Sequence, residues 1–276
     1  MNRYTFATYL RPPLHALLTP PAVVLELGAA VRPAVRRCAH RAGGIELQFE
    51  SAIADLLLLL DNAKLKGRRV HVWVSDHWSR PLLLPLHGNR PADAEIDILL
   101  QTQYRRIYGD MMNAWSWCWD LQNSYLTALA WPETGLAALR AGLNARHCAI
   151  ASARPLAMDI AAKANLPSQT GWLAIVESQS FTLLHQQNGD WLTWSVTHCG
   201  ADLHTLLPLQ LARLSACTPP TQTAVTLVNT TTEQNLDALR QALAQAGWTT
   251  RTWQPPQTNA LRSFRLIQAA HAMGSL

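Results

Sequence analysis

The sequence predicts an α/β protein of two lobes, each a mixed β-sheet with helices on its faces. Two observations carry this expectation. Apolar runs of strand length alternate with amphipathic helical stretches along the 276-residue chain. In addition, the pattern that opens the first half (strand, turn, strand, turn, strand, helix) opens the second half again, as an internal duplication would. Composition agrees: with 49% hydrophobic and 15% charged residues, the chain has apolar surface for a large core and too little charge for disorder.

Residues 1–21 read as an N-terminal arm, ending in the punctuation of Pro12, Pro13, Pro20 and Pro21. The first lobe is expected over 22–166. Val23-Val24-Leu25-Glu26-Leu27 has the unbroken apolar character of a buried strand, and Gly28-Ala29-Ala30 that of a turn. A strand around Val31 to Arg37 follows, with Pro33 favouring an edge position. Gly43-Gly44 precedes Ile45-Glu46-Leu47-Gln48-Phe49-Glu50, whose alternation predicts a third strand. Ser51 then caps a helix to Ala63 carrying Ile53, Leu56, Leu57 and Leu60 at helical spacing.

Val70 to Ser75 and Trp78 to Leu86 read as extended segments, and a helix is expected over 92–108. Trp115 to Asp120 is a strand with three tryptophans on one face. A strand near Tyr125 to Ala130, a helix near Pro132 to Leu143, a strand near His147 to Ala153 and a helix from Leu156 to Ala164 complete the lobe.

The loop Pro167-Ser168-Gln169-Thr170-Gly171 marks the boundary to a second lobe over 167–256. Strands are expected at Trp172 to Glu177 and Ser180 to Gln186. The Asn188-Gly189 hairpin signal then introduces Trp191 to Thr197. A helix near 202–216, a strand Ala224 to Asn229, a helix near 233–246 and a strand Thr249 to Trp253 follow. Residues 257–276 are expected to hold a C-terminal helix and tail.

Net charge is +5 and the pI about 9.2, yet the basic residues are scattered in short groups such as Arg32, Arg36 and Arg37, or Lys64, Lys66, Arg68 and Arg69. That suits an anionic membrane surface or an acidic partner better than nucleic acid, which is not expected as a partner. The five cysteines (Cys38, Cys118, Cys148, Cys199 and Cys217) are odd in number and form no C-x-x-C pair, as in a reducing compartment. The longest aliphatic run, Leu56 to Leu60, is far shorter than a bilayer span, and Met1 to Thr19 lacks the apolar core of a signal peptide. A cytoplasmic location is expected.

Few residues group as chemistry requires. His198, Cys199 and His204 match no structural zinc spacing. Ser75-Asp76-His77 holds the residue types of a hydrolytic triad, but neighbours on an extended chain point to opposite faces. Trp115, Trp117 and Trp119 are expected to cover a sheet, an exposed peptide groove being the alternative. Arg3-Tyr4-Thr5-Phe6-Ala7 alternates as a segment docking onto a neighbouring sheet edge would, which allows a homo-oligomer.

The order of elements from Val23 to Trp253 resembles the actin-like ATPase (ribonuclease H-like) fold. Within it, the chain is similar to the PilM-type and GspL-type cytoplasmic proteins of type IV pilus and type II secretion assembly. The segments that carry the likeness are Val70-His71-Val72-Trp73-Val74-Ser75 running into Arg80-Pro81-Leu82-Leu83-Leu84-Pro85, and Ser152-Ala153-Arg154-Pro155-Leu156-Ala157 at the joint between lobes.

The resemblance implies a nucleotide cleft built from two Asp-x-Gly hairpins and a glycine-rich adenosine loop. Glycine lets backbone amides approach phosphate, and aspartate holds the metal or its water. The first hairpin is expected at Glu26-Leu27-Gly28-Ala29-Ala30, keeping Gly28 but carrying Glu26 at the aspartate position. The second is expected at Glu177-Ser178-Gln179-Ser180-Phe181-Thr182, with Gln179 in place of glycine. The adenosine loop falls on Asn229-Thr230-Thr231-Thr232, which has no glycine and which local chemistry reads as the cap of the following helix.

Glu26, Gly28, Glu177 and Thr182 are therefore vestigial nucleotide positions in this reading, and no cofactor is expected. The resemblance implies a non-catalytic scaffold at the cytoplasmic face of the inner membrane, binding the cytoplasmic tail of a pilus or secretion subunit. The alternative is an ATPase or sugar-kinase-like enzyme that uses Glu26 or Glu177 to hold Mg²⁺.

Overall fold

The computed structural model describes residues 12–26, 33–37, 43–86, 91–122, 125–164, 170–200, 202–216, 224–231 and 235–253. The expected docking segment at Arg3 to Ala7, Gly28, and the expected C-terminal helix lie outside them.

The first sheet has the order β3-β2-β1-β4-β8, built from β1 (Leu14–Leu18), β2 (Ala22–Glu26), β3 (Ala34–Arg37), β4 (Arg69–Val74) and β8 (Ala149–Pro155). The second has the order β11-β10-β9-β12-β13, built from β9 (Gly171–Val176), β10 (Ser180–Gln187), β11 (Asp190–His198), β12 (Ala224–Asn229) and β13 (Thr249–Thr252). The two orders superpose strand for strand. In each sheet the first strand pairs antiparallel with the second and parallel with the fourth. The duplication read from the sequence is therefore a duplication of topology.

Between β4 and β8 the first lobe carries an insertion, a three-stranded sheet of order β5-β7-β6 from β5 (Arg80–Pro85), β6 (Trp115–Gln122) and β7 (Tyr125–Pro132). The helices are α1 (Ile45–Asn62), α2 (Asp93–Tyr108), α3 (Glu133–Ala145), α4 (Leu156–Ala164), α5 (Leu203–Ser215) and α6 (Leu236–Gln245).

Two expectations in the first lobe are corrected. The central strand β1 lies inside the stretch read as an arm, and every residue of it is buried. A strand covered on both faces loses the alternation that marks half-buried strands, and the flanking prolines disguised this one as linker. Conversely, the alternating segment from Ile45 to Glu50 is the first part of α1. Phe49 buries with Ile53, Leu56 and Leu60 at helical spacing, while Leu47, on the apolar beat of the supposed strand, is 60% exposed. Gly44 takes the N-cap position, and Glu46 lies in the first turn, where a negative charge is favoured. The first-lobe meander thus consists of β1, β2 and β3, shifted one strand towards the N-terminus.

The main core joins α1, α3 and α4 to both faces of the first sheet and extends to Leu173, Ile175, Leu184, Trp194 and Val228 of the second lobe. Helices α1 and α3 meet closely at Gly135 and Gly142, where any Cβ would come within 2.3 Å of Phe49 or Leu57. Arg146 clamps the same pair by donating from Nε and Nη2 to the two carboxylate oxygens of Asp61. On the inserted sheet, Ile96, Leu100 and Tyr104 of α2 cover the face that carries Trp115, Trp117 and Trp119. Trp117 stacks on Tyr104 with ring centroids 5.8 Å apart, and the Trp119 indole donates to Asp97. The tryptophan row is a packing surface under a helix.

Candidate functional site

The ends of β1 and β9 define two equivalent turns. In the first, the Thr19 amide donates to the Ala22 carbonyl at 2.9 Å; in the second, the Glu177 amide donates to the Ser180 carbonyl at 2.9 Å. Strand register aligns them: Leu18 pairs with Val23, as Val176 pairs with Phe181. The neighbouring parallel strands end alike, with Ser75 N–H donating to Leu18 O and Thr230 N–H to Val176 O. Residues Thr19-Pro20-Pro21 therefore correspond to Glu177-Ser178-Gln179.

This places the first hairpin elsewhere than expected. Glu26 ends β2 opposite His15, at the other end of the sheet from the Thr19–Ala22 turn, because the unrecognised β1 shifted the assignment by one strand. Glu26 and Glu177 are not brought together. Residues 20 and 21 of the true turn are both proline, which has no N–H to offer a phosphate. The second turn has Gln179 at the close-approach position. Its carbonyl accepts the amides of Cys199 and Gly200, tying the turn to the end of β11. The first turn thus lacks two of the amides that a phosphate cradle at this place would use.

A buried polar cluster lies where the turns converge. Ser75, at the end of β4, donates its hydroxyl to Glu177 Oε2 at 2.7 Å, and Ser180 donates to the same oxygen at 3.1 Å. Asp76 follows in a 3₁₀ turn of Asp76–Trp78 that Ser75 caps by accepting the His77 amide. Asp76 Oδ2 accepts the Ala157 N–H at the start of α4, at 2.7 Å. His198 Nε2 bonds the His77 carbonyl at 2.8 Å, and His77 Nε2 meets Gln48 Oε1 at 3.1 Å. Ser75, Asp76 and Glu177 are 0%, 1% and 4% exposed, and Asp76 Oδ1 and Glu177 Oε1 have no hydrogen-bond partner among the described residues.

Burial sets the electrostatics. It raises Asp76 well above the ordinary carboxylate range, and the adjacent Glu177 carboxylate raises it further, against the Ala157 amide. Burial raises Glu177 as well, while the Ser75 and Ser180 hydroxyls and the His77 amide pull the other way. His77 is pushed down to about 3, first by burial and then by His198. The cluster favours neutral groups. Ser75, Asp76 and His77 form no triad, since the serine hydroxyl faces a glutamate of the other lobe.

Of the vestigial positions within the described residues, Glu177 alone joins this cluster. Thr182 lies within β10, 1% exposed, paired with Ile175 and Val196. In the adenosine-loop segment, the Thr231 amide donates to Asn229 Oδ1. The cap of the following helix is Asn235, which accepts from Asp237 and Ala238, rather than a threonine of 230–232. Sequence reasoning missed Asp76 as a partner of Glu177; they are 101 positions apart, and only the parallel neighbours of β1 and β9 bring them together. Among the described residues no three His, Cys, Asp or Glu side chains are grouped to hold a metal ion.

A second concavity lies between the inserted sheet and the second lobe. Leu83, Thr127 and Asp120 form a row across β5, β7 and β6 on the face away from α2. They line a groove of about 70 Å³ with Met158 of α4, Leu184 of β10, and Trp191 and Trp194 of β11. Trp194 is 8% exposed, and its indole N–H has no hydrogen-bond partner.

No protein-family model matches this sequence, and no curated protein does. Solved structures match at the level of fold. One is that of a PilM-PilN type IV pilus biogenesis complex, similar over 96% of this chain and 98% of that one, with 12% identity and a TM-score of 0.62. A Bacteroides thetaiotaomicron protein with an actin-like ATPase fold and unknown function is similar over 97% and 99%, with 10% identity and a TM-score of 0.63. The cytoplasmic domain of EpsL, an inner-membrane component of the type II secretion system of Vibrio cholerae, is similar over 94% of both chains, with 11% identity and a TM-score of 0.51. With two topologically equivalent sheets meeting at paired turns, and with these likenesses over nearly its whole length, the chain has the actin-like ATPase fold.

Proposed function

We propose that this protein is a non-catalytic scaffold of a type IV pilus or type II secretion-like machine, holding the cytoplasmic segment of an inner-membrane subunit. The observation that carries the reading is the Pro20-Pro21 turn. It removes two amides from the position where an actin-like ATPase cradles phosphate, while the fold itself is kept. The likeness to the PilM-PilN complex and to the EpsL cytoplasmic domain supports the choice of machine. In this reading membrane association is peripheral and mediated by the partner; no helix among the described residues is long and apolar enough to cross a membrane.

The groove at Trp194 is the place proposed for the partner segment. An extended peptide brings apolar side chains to Leu83, Met158 and Leu184, which line the groove. The test is binding of synthetic N-terminal cytoplasmic segments of the pilus or secretion inner-membrane subunits from the same genome, with Met158→Glu as the blocked variant. Micromolar binding lost in Met158→Glu supports the reading. Absence of binding by every segment, or Mg²⁺-dependent ATP hydrolysis abolished by Glu177→Gln, overturns it.

A further inference from the structure

We propose that the chain closes its own interlobe cleft with the Ser75–Glu177 and His77–His198 contacts, and that this latch sets the width of the Trp194 groove through the β10–β11 hairpin. The inference deepens the scaffold reading and rests on it for the role of the groove.

The latch is a set of contacts between lobes at one level of the cleft. Ser75 of the first lobe donates to Glu177 of the second at 2.7 Å, and His198 of β11 bonds the His77 carbonyl at 2.8 Å. The ring of His198 also packs edge-on to that of His77, with centroids 4.5 Å apart. Ser75, His77 and Glu177 are buried in the cleft, and His198 lies at its exposed edge. In a nucleotide-binding relative, phosphates would bridge the two turns. Here the bridge is made of the chain's own side chains, so closure needs no ligand.

Glu177 supplies the carboxylate that Ser75 meets from across the cleft and Ser180 from its own lobe, and Asp76 binds the α4 amide within the first lobe. Their unpartnered oxygens, Asp76 Oδ1 and Glu177 Oε1, are both shielded from water. Two buried carboxyls with no cation paired to them are stable side by side when at least one is protonated.

The coupling to the groove lies in the register of one hairpin. Ser180 pairs with His198 at the latch end, and Leu184 pairs with Trp194 at the groove end. The separation is four residues of paired strand, roughly 14 Å at about 3.4 Å per residue. At the latch end His198 bonds the His77 carbonyl and Ser180 shares the Glu177 oxygen with Ser75, while the groove end faces Leu83, Thr127 and Met158 of the first lobe. A paired hairpin moves as a unit, so release at Ser180 and His198 shifts Leu184 and Trp194 relative to the first lobe.

Hydrogen exchange read by mass spectrometry on the full chain tests this without a partner, so the latch and the partner reading can fail separately. In Glu177→Ala, exchange is expected to rise roughly tenfold or more in peptides covering Ser75–Arg80 and Asp190–His198, and to stay unchanged in β12. Ser75→Ala, a milder change that leaves the carboxyl in place, should raise the same peptides by a smaller factor. If Glu177→Ala does not fold, Ser75→Ala decides. Unchanged exchange at both sites in Ser75→Ala overturns the latch. A uniform rise across both lobes overturns it too, because it marks ordinary core loss. A rise at Ser75–Arg80 without one at Asp190–His198 overturns the coupling to the groove.

Discussion

Glu177 gives the sharpest quantitative test of how the cleft is stabilised, because alanine and glutamine remove different parts of its role. The carboxylate accepts the buried Ser75 and Ser180 hydroxyls at 2.7 and 3.1 Å. Alanine leaves both donors without a partner; at about 1–3 kcal/mol for each orphaned buried group, the loss is about 2–6 kcal/mol. Glutamine keeps an acceptor for the serines and can turn its amide towards Asp76 Oδ1, which has no other partner.

The two substitutions also differ in pH dependence. Asp76 and Glu177 both have folded-state values raised by burial, and Asp76 by Glu177 as well. A raised carboxyl contributes stability that is fully present below its unfolded value and is lost as pH rises through the folded one. Glu177→Gln removes one such group and relieves the other, so its stability relative to the wild type should grow as pH rises from the ordinary carboxylate range towards alkaline conditions. His77 acts in the opposite sense. Its folded value is depressed to about 3, so its contribution is present above the ordinary histidine value and is lost as pH falls towards 3. That acid-side loss is common to the wild type and Glu177→Gln and cancels in their difference. Urea unfolding of the wild type and both variants between about pH 5 and pH 8 measures all three effects. A Glu177→Gln curve parallel to the wild type across that range, or a Glu177→Ala loss below about 1 kcal/mol, would refute the reasoning.

Two further predictions follow from packing. Gly135→Ala in α3 would ordinarily gain up to about 1 kcal/mol of helix propensity. Here the new Cβ meets Phe49 Cδ1 at 2.3 Å, and overpacking of about 1–3 kcal/mol should make the variant less stable; a raised melting temperature would count against the α1–α3 contact. Arg80 lies with its guanidinium 5.1 Å from the Trp115 ring centroid and 5.7 Å from that of Tyr108. Arg80→Lys keeps the charge but loses the planar stack, and should cost about 1–2 kcal/mol. The loss should appear first as faster exchange in β5 and β6, and equal protection in both forms would falsify that placement.

Much of the fold was legible in the chain. The second lobe was read nearly strand for strand, because Asn188-Gly189 marks its hairpin and Trp172 to Val176 is an unmistakable buried run. The first lobe was read one strand out. Leu14 to Leu18, between two proline pairs, carries no alternation to distinguish a central strand from a linker, and Ile45 to Phe49 alternates by accident at the start of a helix. One misplaced strand was enough to assign the first turn to Glu26 instead of Thr19-Pro20-Pro21.

By itself the sequence determined the class and the duplication, because these depend on local periodicity and on the order of elements along the chain. The tertiary structure decided which turn faces which. It brought Ser75 and Asp76 to Glu177 across roughly a hundred positions of chain, so that the Ser75 hydroxyl of one lobe donates to the Glu177 carboxylate of the other. Pairing between distant strands is fixed by the shared core beneath two sheets, a cooperative property of the whole chain that no local window contains.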